Sequence, residues 1–159
     1  MPYRAEPADV EELREGEPRA AVVENALRKA RAVAGERVLG VDTEVVLDGD
    51  LLGKPASEAD AEAFLRRLAG RDHEVMSGIA LIEDGRERTA VSVTRVRFRP
   101  LSERDVAWYL ASGEWRDRAG GYAIQGRGAA LVESIDGDYS NVVGLPIPAL
   151  LALAPNLLD

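Results

Sequence analysis

The stretch that most constrains the fold is residues 41–55, which read VDTEVVLDGDLLGKP. Apolar and β-branched residues dominate its first seven positions, which is typical of a strand, and we expect that strand to cover residues 37–47. The dipeptide Asp48-Gly49 that follows is a strong signal for a tight hairpin turn. The carboxylate of Asp42 lies within the apolar strand, where a charge is costly unless a cation, a metal ion or hydrogen bonds compensate for it.

Lysine is rare in this chain, and its two occurrences are therefore informative. Of the 20 lysine and arginine side chains, only Lys29 and Lys54 are lysines. The arginine guanidinium is a wide planar fork, whereas the lysine ammonium is a compact charge that suits a phosphate in a tight pocket. We expect both lysines to mark positions that require a compact ammonium. The alternative is that a biased composition left them there by chance.

The segments on either side of residues 41–55 alternate between helical and strand-like patterns. Apolar residues at helical spacing, together with capping residues, predict helices that begin near Pro18, Ser57, Ser102 and Pro146. Strand patterns occupy residues 73–82, 87–99 and 129–136. Because hairpins outnumber strand-helix-strand crossovers, we predict an α/β fold, a single domain with a twisted, mixed or largely antiparallel sheet flanked by helices.

One predicted strand has an irregular pattern of apolar residues. Its inward-facing set begins with Val91 and Val93 but then becomes Val96 and Phe98. This change of phase requires one extra residue if a single face is buried, and it predicts a β-bulge near residues 94–95.

The composition excludes several functional classes. The chain has 159 residues, which fits one domain, and no cysteine, which excludes thiol nucleophiles and cysteine-zinc sites. Its net charge of −8 argues against nucleic-acid binding, whereas a small polyphosphate can bind where a cationic pocket or a divalent metal overrides that charge. Apolar runs are shorter than the ~20 residues of a membrane span and no signal peptide is recognisable, so we expect no membrane contact and a cytoplasmic location.

Carboxylates are the best candidates for general-base chemistry. The single histidine, His73, lies in a strand-like setting and is expected to be structural. Asp42 could hold Mg²⁺ or activate a water, and Glu44 points the same way because strand side chains alternate. Glu11 and Glu12 offer further carboxylates. Hydrolysis of a phosphoanhydride requires neutralised charge, a water in line with phosphorus and a stabilised leaving group, which lysines, a metal and a carboxylate base can supply.

A glycine-rich stretch at residues 119–128 contributes a candidate for base recognition. The side-chain amide of Gln125 can donate and accept together, which matches the imide edge of uracil or thymine. The alternative is a loop glutamine that is hydrogen-bonded to backbone. The stretch is not a Walker-type phosphate loop, because no Gly-Lys-Ser/Thr follows its glycines.

Four motifs together resemble the Maf family. They are VDT…LGKP at residues 41–55, HEVMSG at 73–78, DRAGGYAIQG at 117–126 and NVVGLP at 141–146, and they follow the family's order over almost the whole chain. The resemblance implies a fold similar to Maf and inosine-triphosphatase-like proteins. It also implies a house-cleaning pyrophosphatase that hydrolyses nucleoside triphosphates to the monophosphate and pyrophosphate with a divalent metal, Mg²⁺ or Mn²⁺.

The resemblance also assigns expected roles to individual residues. Asp42 matches the family's proton acceptor, and Glu12 matches an acidic residue near the start of the chain; both are expected to hold the metal. Lys29 and Lys54 match the two lysines of the family's catalytic set. Two further positions, Thr43 and Gln125, match residues tied to substrate choice and resemble the branch that acts on dTTP and UTP. The expected partner is the nucleoside triphosphate, without nucleic acid or membrane, and a homodimer is left open.

Several departures from the family keep other functions open. Family members begin with a strand and a Ser-x-Ser-Pro-Arg-Arg loop that contacts the triphosphate, and this chain aligns after them. We therefore expect one Maf-like domain over residues 1–159 that is truncated at its N-terminus, and its activity is left open because the missing loop contacts the triphosphate. Glu44 and Ser77 stand where an apolar residue and a threonine are usual. The alternatives are a pyrophosphatase for modified or purine nucleotides, and a non-catalytic nucleotide-binding or division-related regulatory protein.

Overall fold

The computed structural model describes residues 3–159. The sequence predicts an irregular, acidic segment over residues 1–16, and its first two residues, Met1 and Pro2, lie outside the described part. Five strands form one sheet in which all neighbours are antiparallel. In the sheet order β2-β1-β3-β4-β5, the strands are β1 (Arg37–Leu47), β2 (Asp50–Leu51), β3 (Asp72–Glu83), β4 (Arg86–Phe98) and β5 (Val132–Asp136). The predicted α/β fold with a largely antiparallel sheet is confirmed. The last strand begins later than predicted, because residues 127–130 form a 3₁₀ turn.

The helices begin close to the predicted capping residues. They are α1 (Pro18–Arg31), α2 (Glu58–Leu68), α3 (Glu103–Ala111), α4 (Tyr139–Val143) and α5 (Ile147–Leu153). The Ser57 side chain accepts a hydrogen bond from the backbone of Asp60 at the start of α2, and Ser102 with Asp105 forms a complete capping box on α3. The short helix α4 is not predicted by the sequence patterns. Within residues 3–159, no helix combines the length and the hydropathy that crossing a bilayer requires.

Both faces of the sheet are covered, and this arrangement explains the irregular pattern in β4. Val96 and Phe98 belong to the larger core cluster, whereas Val93 packs on the opposite face against the cluster that Val22 of α1 forms with Val46 and Met76. Successive side chains of β4 point to opposite faces, and both faces are buried. Apolar residues can therefore occur at odd and at even positions of the strand without an extra residue between them. The predicted bulge at residues 94–95 is wrong: β4 pairs with β3 without interruption there, and its irregularity lies opposite β5, between Arg97 and Phe98.

Two glycines set the distance between α1 and the sheet. A Cβ at Gly78 of β3 would overlap the carbonyl oxygen of Val22, and a Cβ at Gly40 of β1 would overlap that of Ala26. The backbone of α1 therefore lies directly on the sheet, closer than any other residue type would allow. This contact brings the polar side chains of α1 within reach of the carboxylates on β1.

Candidate active site

The carboxylate of Asp42 is buried between β1 and α1, with a separate donor for each of its oxygens. Asp42 is 4% exposed. Lys29 Nζ donates to its Oδ1 at 2.7 Å, and Asn25 Nδ2 donates to its Oδ2 at 3.0 Å. The two donors lie four residues apart on α1 and therefore project from the same side of the helix. The cost of burying the charge is thus offset by one cation and one amide.

The acidic N-terminal segment is joined to the same helix. Asn25 accepts a hydrogen bond from the backbone N–H of Leu13 at 2.7 Å and donates one to the carbonyl of Leu13 at 3.0 Å. Arg28 donates to the carbonyl of Glu11 at 2.8 Å. These bonds bring Glu12 against α1, where its Oε1 lies 2.7 Å from Lys29 Nζ. Lys29 consequently contacts two carboxylates at once.

The surroundings of Lys29 keep its ammonium charged. Burial lowers the pKa of Lys29, but hydrogen bonds and charges from Asp42 and Glu12 outweigh burial and hold the pKa above its ordinary value. A thin ammonium stem fits between two oxygens at 2.7 Å, whereas a guanidinium fork is wider. The predicted need for a compact cation therefore has a structural reason at this position.

Glu44 completes a group of three carboxylates that suits a divalent cation. Oxygens of Glu12, Asp42 and Glu44 all lie within 4.8 Å of one another. Glu44 is buried, and its Oε2 has no hydrogen-bond partner among the described residues. Burial, followed by the charges of Asp42 and Glu12, raises the pKa of Glu44 to about 7. Carboxylate oxygens are the ligands that Mg²⁺ and Mn²⁺ prefer, so these residues fit the expected metal.

A cleft opens next to Asp42 and reaches the glycine-rich stretch. It is lined by Asp42 and Lys29 on one side of β1, by Thr43 on the other, and by Lys54 and Gln125 from the neighbouring loops. Within the described residues β2 pairs only with the last two residues of β1, so the edge of β1 at Asp42 and Thr43 faces the cleft. The structure brings the predicted site residues to one place, with Glu12 one contact away through Lys29.

The loop residues of the cleft are accessible to a ligand. Lys54 and Gln125 are exposed, and Thr43 is half-buried, with its hydroxyl 2.7 Å from the Ser77 hydroxyl. The prediction of a tight pocket around a lysine therefore fits Lys29, whereas the Lys54 side chain is at the open rim. Lys54 is free to reach a ligand that enters the cleft.

His73 supports the wall of this cleft from the core. Its Nε2 lies 2.7 Å from the hydroxyl of Tyr122, which lines the cleft, and its ring packs edge-on against Phe98. Burial lowers the pKa of His73 to about 4, with partial opposition from the charge of Asp72. The histidine is thus neutral near pH 7 and holds an aromatic side chain in position, as its strand setting indicates.

A sequence model of the family described as Maf-like protein matches residues 1–157. The chain belongs to the Maf family.

Three similar proteins carry the name dTTP/UTP pyrophosphatase. That of Symbiobacterium thermophilum is 56% identical over 126 residues, or 77% of this chain and 65% of the relative, so the match spans slightly less than two thirds of that protein. That of Dictyoglomus thermophilum is 46% identical over 158 residues, covering 94% and 82%. The Deinococcus radiodurans protein is 44% identical over 149 residues, covering 91% and 76%.

The Maf motif NVVGLP has a structural role beside the cleft. Asn141 is buried and donates to the carbonyl of Val75 at 3.0 Å and to the hydroxyl of Thr94 at 3.1 Å. These bonds fix α4 to the sheet. The glycine that ends α4, Gly144, then lies with its carbonyl oxygen 3.4 Å from the hydroxyl of Thr43. The motif therefore shapes the side of the cleft next to Thr43.

Sequence reasoning missed Asn25, the residue that connects Asp42 with the N-terminal segment. The position of Asn25 in the helical pattern is itself a signal of a buried contact. Asn25 lies between Val22 and Ala26 on the apolar side of α1 and four residues before Lys29. A polar amide in the interior of an amphipathic helix is unfavourable unless it has partners, so its presence there indicates a buried polar contact.

Proposed function

We propose that this chain hydrolyses UTP and dTTP to the nucleoside monophosphate and pyrophosphate. The observation that supports this most is the position of Asp42, whose buried carboxylate contacts Lys29 at the side of a cleft that also contains Lys54 and Gln125. The reaction requires a general base and positive charge near the phosphates, and its selectivity requires a group that recognises the nucleobase. The Asp42 carboxylate, the two lysine ammonium groups and the Gln125 amide can supply them. The names of the relatives support the same reaction.

In this proposal Asp42 is the general base. A water held beside the Asp42 carboxylate transfers a proton to it, and the water oxygen attacks the α-phosphorus. The bond between the α-phosphorus and the oxygen that bridges to the β-phosphate breaks, which releases pyrophosphate. Asn25 and Lys29 hold the two oxygens of Asp42, so the carboxylate is oriented before the substrate arrives.

The lysines have separate roles in this proposal. Lys29 keeps the carboxylates together, because it contacts Asp42 and Glu12 at the same time. Lys54, which is exposed at the rim, would neutralise the phosphates and the leaving pyrophosphate. Glu12 and Asp42 would hold the divalent cation, which supplies Lewis-acid stabilisation of phosphate charge when bound.

Base selection is assigned to the far side of the cleft. The Gln125 amide is exposed there and can donate to a uracil carbonyl while accepting from the imide N–H. Thr43, which lies near Gly144, also lines the cleft and would contact the substrate. The absence of cysteine and the net charge of −8 favour a cytoplasmic enzyme that binds small nucleotides rather than nucleic acid.

The proposal is tested by following UMP and pyrophosphate release from UTP with Mg²⁺. Asp42→Asn keeps the shape of the side chain and removes the base, so turnover should fall by the ~10²–10⁴-fold typical of general-base catalysis. Asp48→Asn, at the exposed turn after β1, is the matched control and should keep wild-type turnover. Release of orthophosphate from wild type, or full turnover by Asp42→Asn, would contradict the proposal.

A further inference from the structure

The charges around Asp42 do not balance. Glu12, Asp42 and Glu44 can carry three negative charges within 4.8 Å, and Lys29 supplies one positive charge to the first two. When all three carboxylates are ionised, the remaining deficit equals the charge of one divalent cation. Lys29 contacts Glu12 and Asp42 at 2.7 Å each, and Glu44 is the member of the group without such a contact.

Glu44 also has a polar atom that its protein surroundings do not satisfy. The residue is 9% exposed, and its Oε2 is inaccessible to solvent and has no hydrogen-bond partner in residues 3–159. A charged carboxylate needs donors and a neutral one needs an acceptor for its proton, and Oε2 has neither. Such buried atoms are rare in folded proteins, and an ion is one of the recognised explanations for them.

The strand fixes where Glu44 can point. Asp42 and Glu44 lie two residues apart on β1, so their side chains project from the same face of the sheet. The antiparallel pairing with β3 is regular on both sides of them, Asp42 opposite Gly78 and Glu44 opposite Met76. The carboxylate of Glu44 is therefore held on the same face of the sheet as that of Asp42, and one of its oxygens lies within 4.8 Å of oxygens of Asp42 and Glu12.

We propose that Glu44 is a third protein ligand of the divalent cation, in addition to Asp42 and Glu12. Its place in a largely apolar strand is then explained by metal binding, since three carboxylate ligands suit a hard cation that keeps water and phosphate in its other positions. This inference deepens the proposed function, on which it rests for the identity of the cation as the one used in hydrolysis.

The test measures Mn²⁺ binding directly, without nucleotide, by titration calorimetry and by the loss of the free Mn²⁺ signal in electron paramagnetic resonance. Glu44→Gln keeps the shape of the side chain and removes its charge, and Glu44→Val supplies an apolar strand residue. Glu36→Gln, which removes an exposed carboxylate between α1 and β1, is the control with the same change in net charge. Thermal unfolding without metal verifies that each variant is folded.

Wild type and Glu36→Gln should bind one Mn²⁺ per chain. Both Glu44 variants should bind it at least ~10–100-fold more weakly, the loss that even an outer-shell partner of a metal ligand causes. At a fixed Mn²⁺ concentration, the metal should also raise the unfolding temperature of the Glu44 variants less than that of wild type. Affinities within twofold of wild type in both variants, or no Mn²⁺ binding by wild type, would overturn the proposal.

The same preparations distinguish this inference from the proposed function. Wild type that binds Mn²⁺ through Glu44 but does not release pyrophosphate from UTP would reject the function and keep the ligand. If wild type hydrolyses UTP but the Glu44 variants bind Mn²⁺ as tightly as wild type, Glu44 is not a metal ligand and the proposed function stands.

Discussion

Asp42 and Gly78 lie directly opposite each other in the β1–β3 pair, and α1 touches the sheet at that glycine. A Cβ on Gly78 would overlap the carbonyl oxygen of Val22. Asn25 lies one turn further along α1, and Lys29 lies one turn beyond Asn25. Both side chains donate hydrogen bonds to Asp42. The position of the Asp42 carboxylate and the close approach of its donors are thus both linked to the pairing of Asp42 with Gly78.

Gly78→Ala should therefore damage both stability and activity. The added methyl would displace a helix backbone rather than a flexible side chain, so we expect a loss of about 1–3 kcal/mol in the free energy of unfolding, or more. Pyrophosphate release should fall because α1 moves away from Asp42. The control is Gly35→Ala, where the nearest atom to a new Cβ is a Val38 methyl at 3.1 Å. Urea unfolding would show equal effects at the two positions if the contact with α1 did not matter.

Asn25→Ala removes both the donor to Asp42 and the bonds to Leu13. Leaving buried polar groups without partners should cost about 1–3 kcal/mol of stability. Hydrogen exchange gives a local readout, because the amide of Leu13 should lose its protection while amides of β3 keep theirs. If the Leu13 amide remained as protected as in wild type, Asn25 would not be what holds the N-terminal segment on α1.

The sequence predicts the sheet and the main helices, and its motifs single out candidate site residues, but it does not predict the contacts between them. Strand alternation and the Asp48-Gly49 turn are local signals, and the motifs identify Asp42 and Gln125 without a structure. The contacts of Asn25 with Leu13 and Asp42 span 12 and 17 residues of sequence, and no local pattern specifies them. The wrong bulge in β4 has the same origin, since the covering of both sheet faces is a tertiary property.

Lys29→Arg should be more damaging than Lys54→Arg, although both keep the charge. Lys29 is confined between two carboxylates at 2.7 Å, where the wider guanidinium would separate Glu12 from Asp42. Lys54 is exposed, so an arginine there has room to reorient. We expect at least a tenfold greater loss of kcat for UTP in the Lys29 variant. Equal turnover of the two arginine variants would show that the geometry around Lys29 does not control catalysis.

His73 should make the protein less stable as the pH falls. Its pKa is about 4 when folded, below the ~6.5 of an unfolded histidine, so at pH 7 neither state is protonated and there is no penalty. Between about pH 6.5 and 4 the unfolded state binds a proton at His73 that the folded state does not bind. The free energy of unfolding therefore falls by roughly 1–3 kcal/mol.

His73→Phe should flatten this part of the pH profile, measured as the free energy of unfolding from pH 7 to pH 4. Tyr122→Phe removes the hydrogen bond to His73 but keeps the titrating group, so it should retain the wild-type slope. Carboxylates titrate in the same range in all three proteins, and the difference between profiles isolates the histidine. Parallel profiles for wild type and His73→Phe would mean that folding does not lower the pKa of the imidazole.

Gln125 should control the choice of base more than the rate on good substrates. Its amide is exposed at the cleft, so Gln125→Ala should leave the unfolding midpoint unchanged and act only on substrate. Losing the bonds to the imide edge of uracil should cost about 1–3 kcal/mol, which is roughly a 5–150-fold smaller preference for UTP and dTTP over ATP and GTP. Gln125→Glu, which keeps an acceptor but loses the donor, should show a similar loss. The measurement is kcat/KM for the four triphosphates, and a preference that stays unchanged in both variants would remove Gln125 from base recognition.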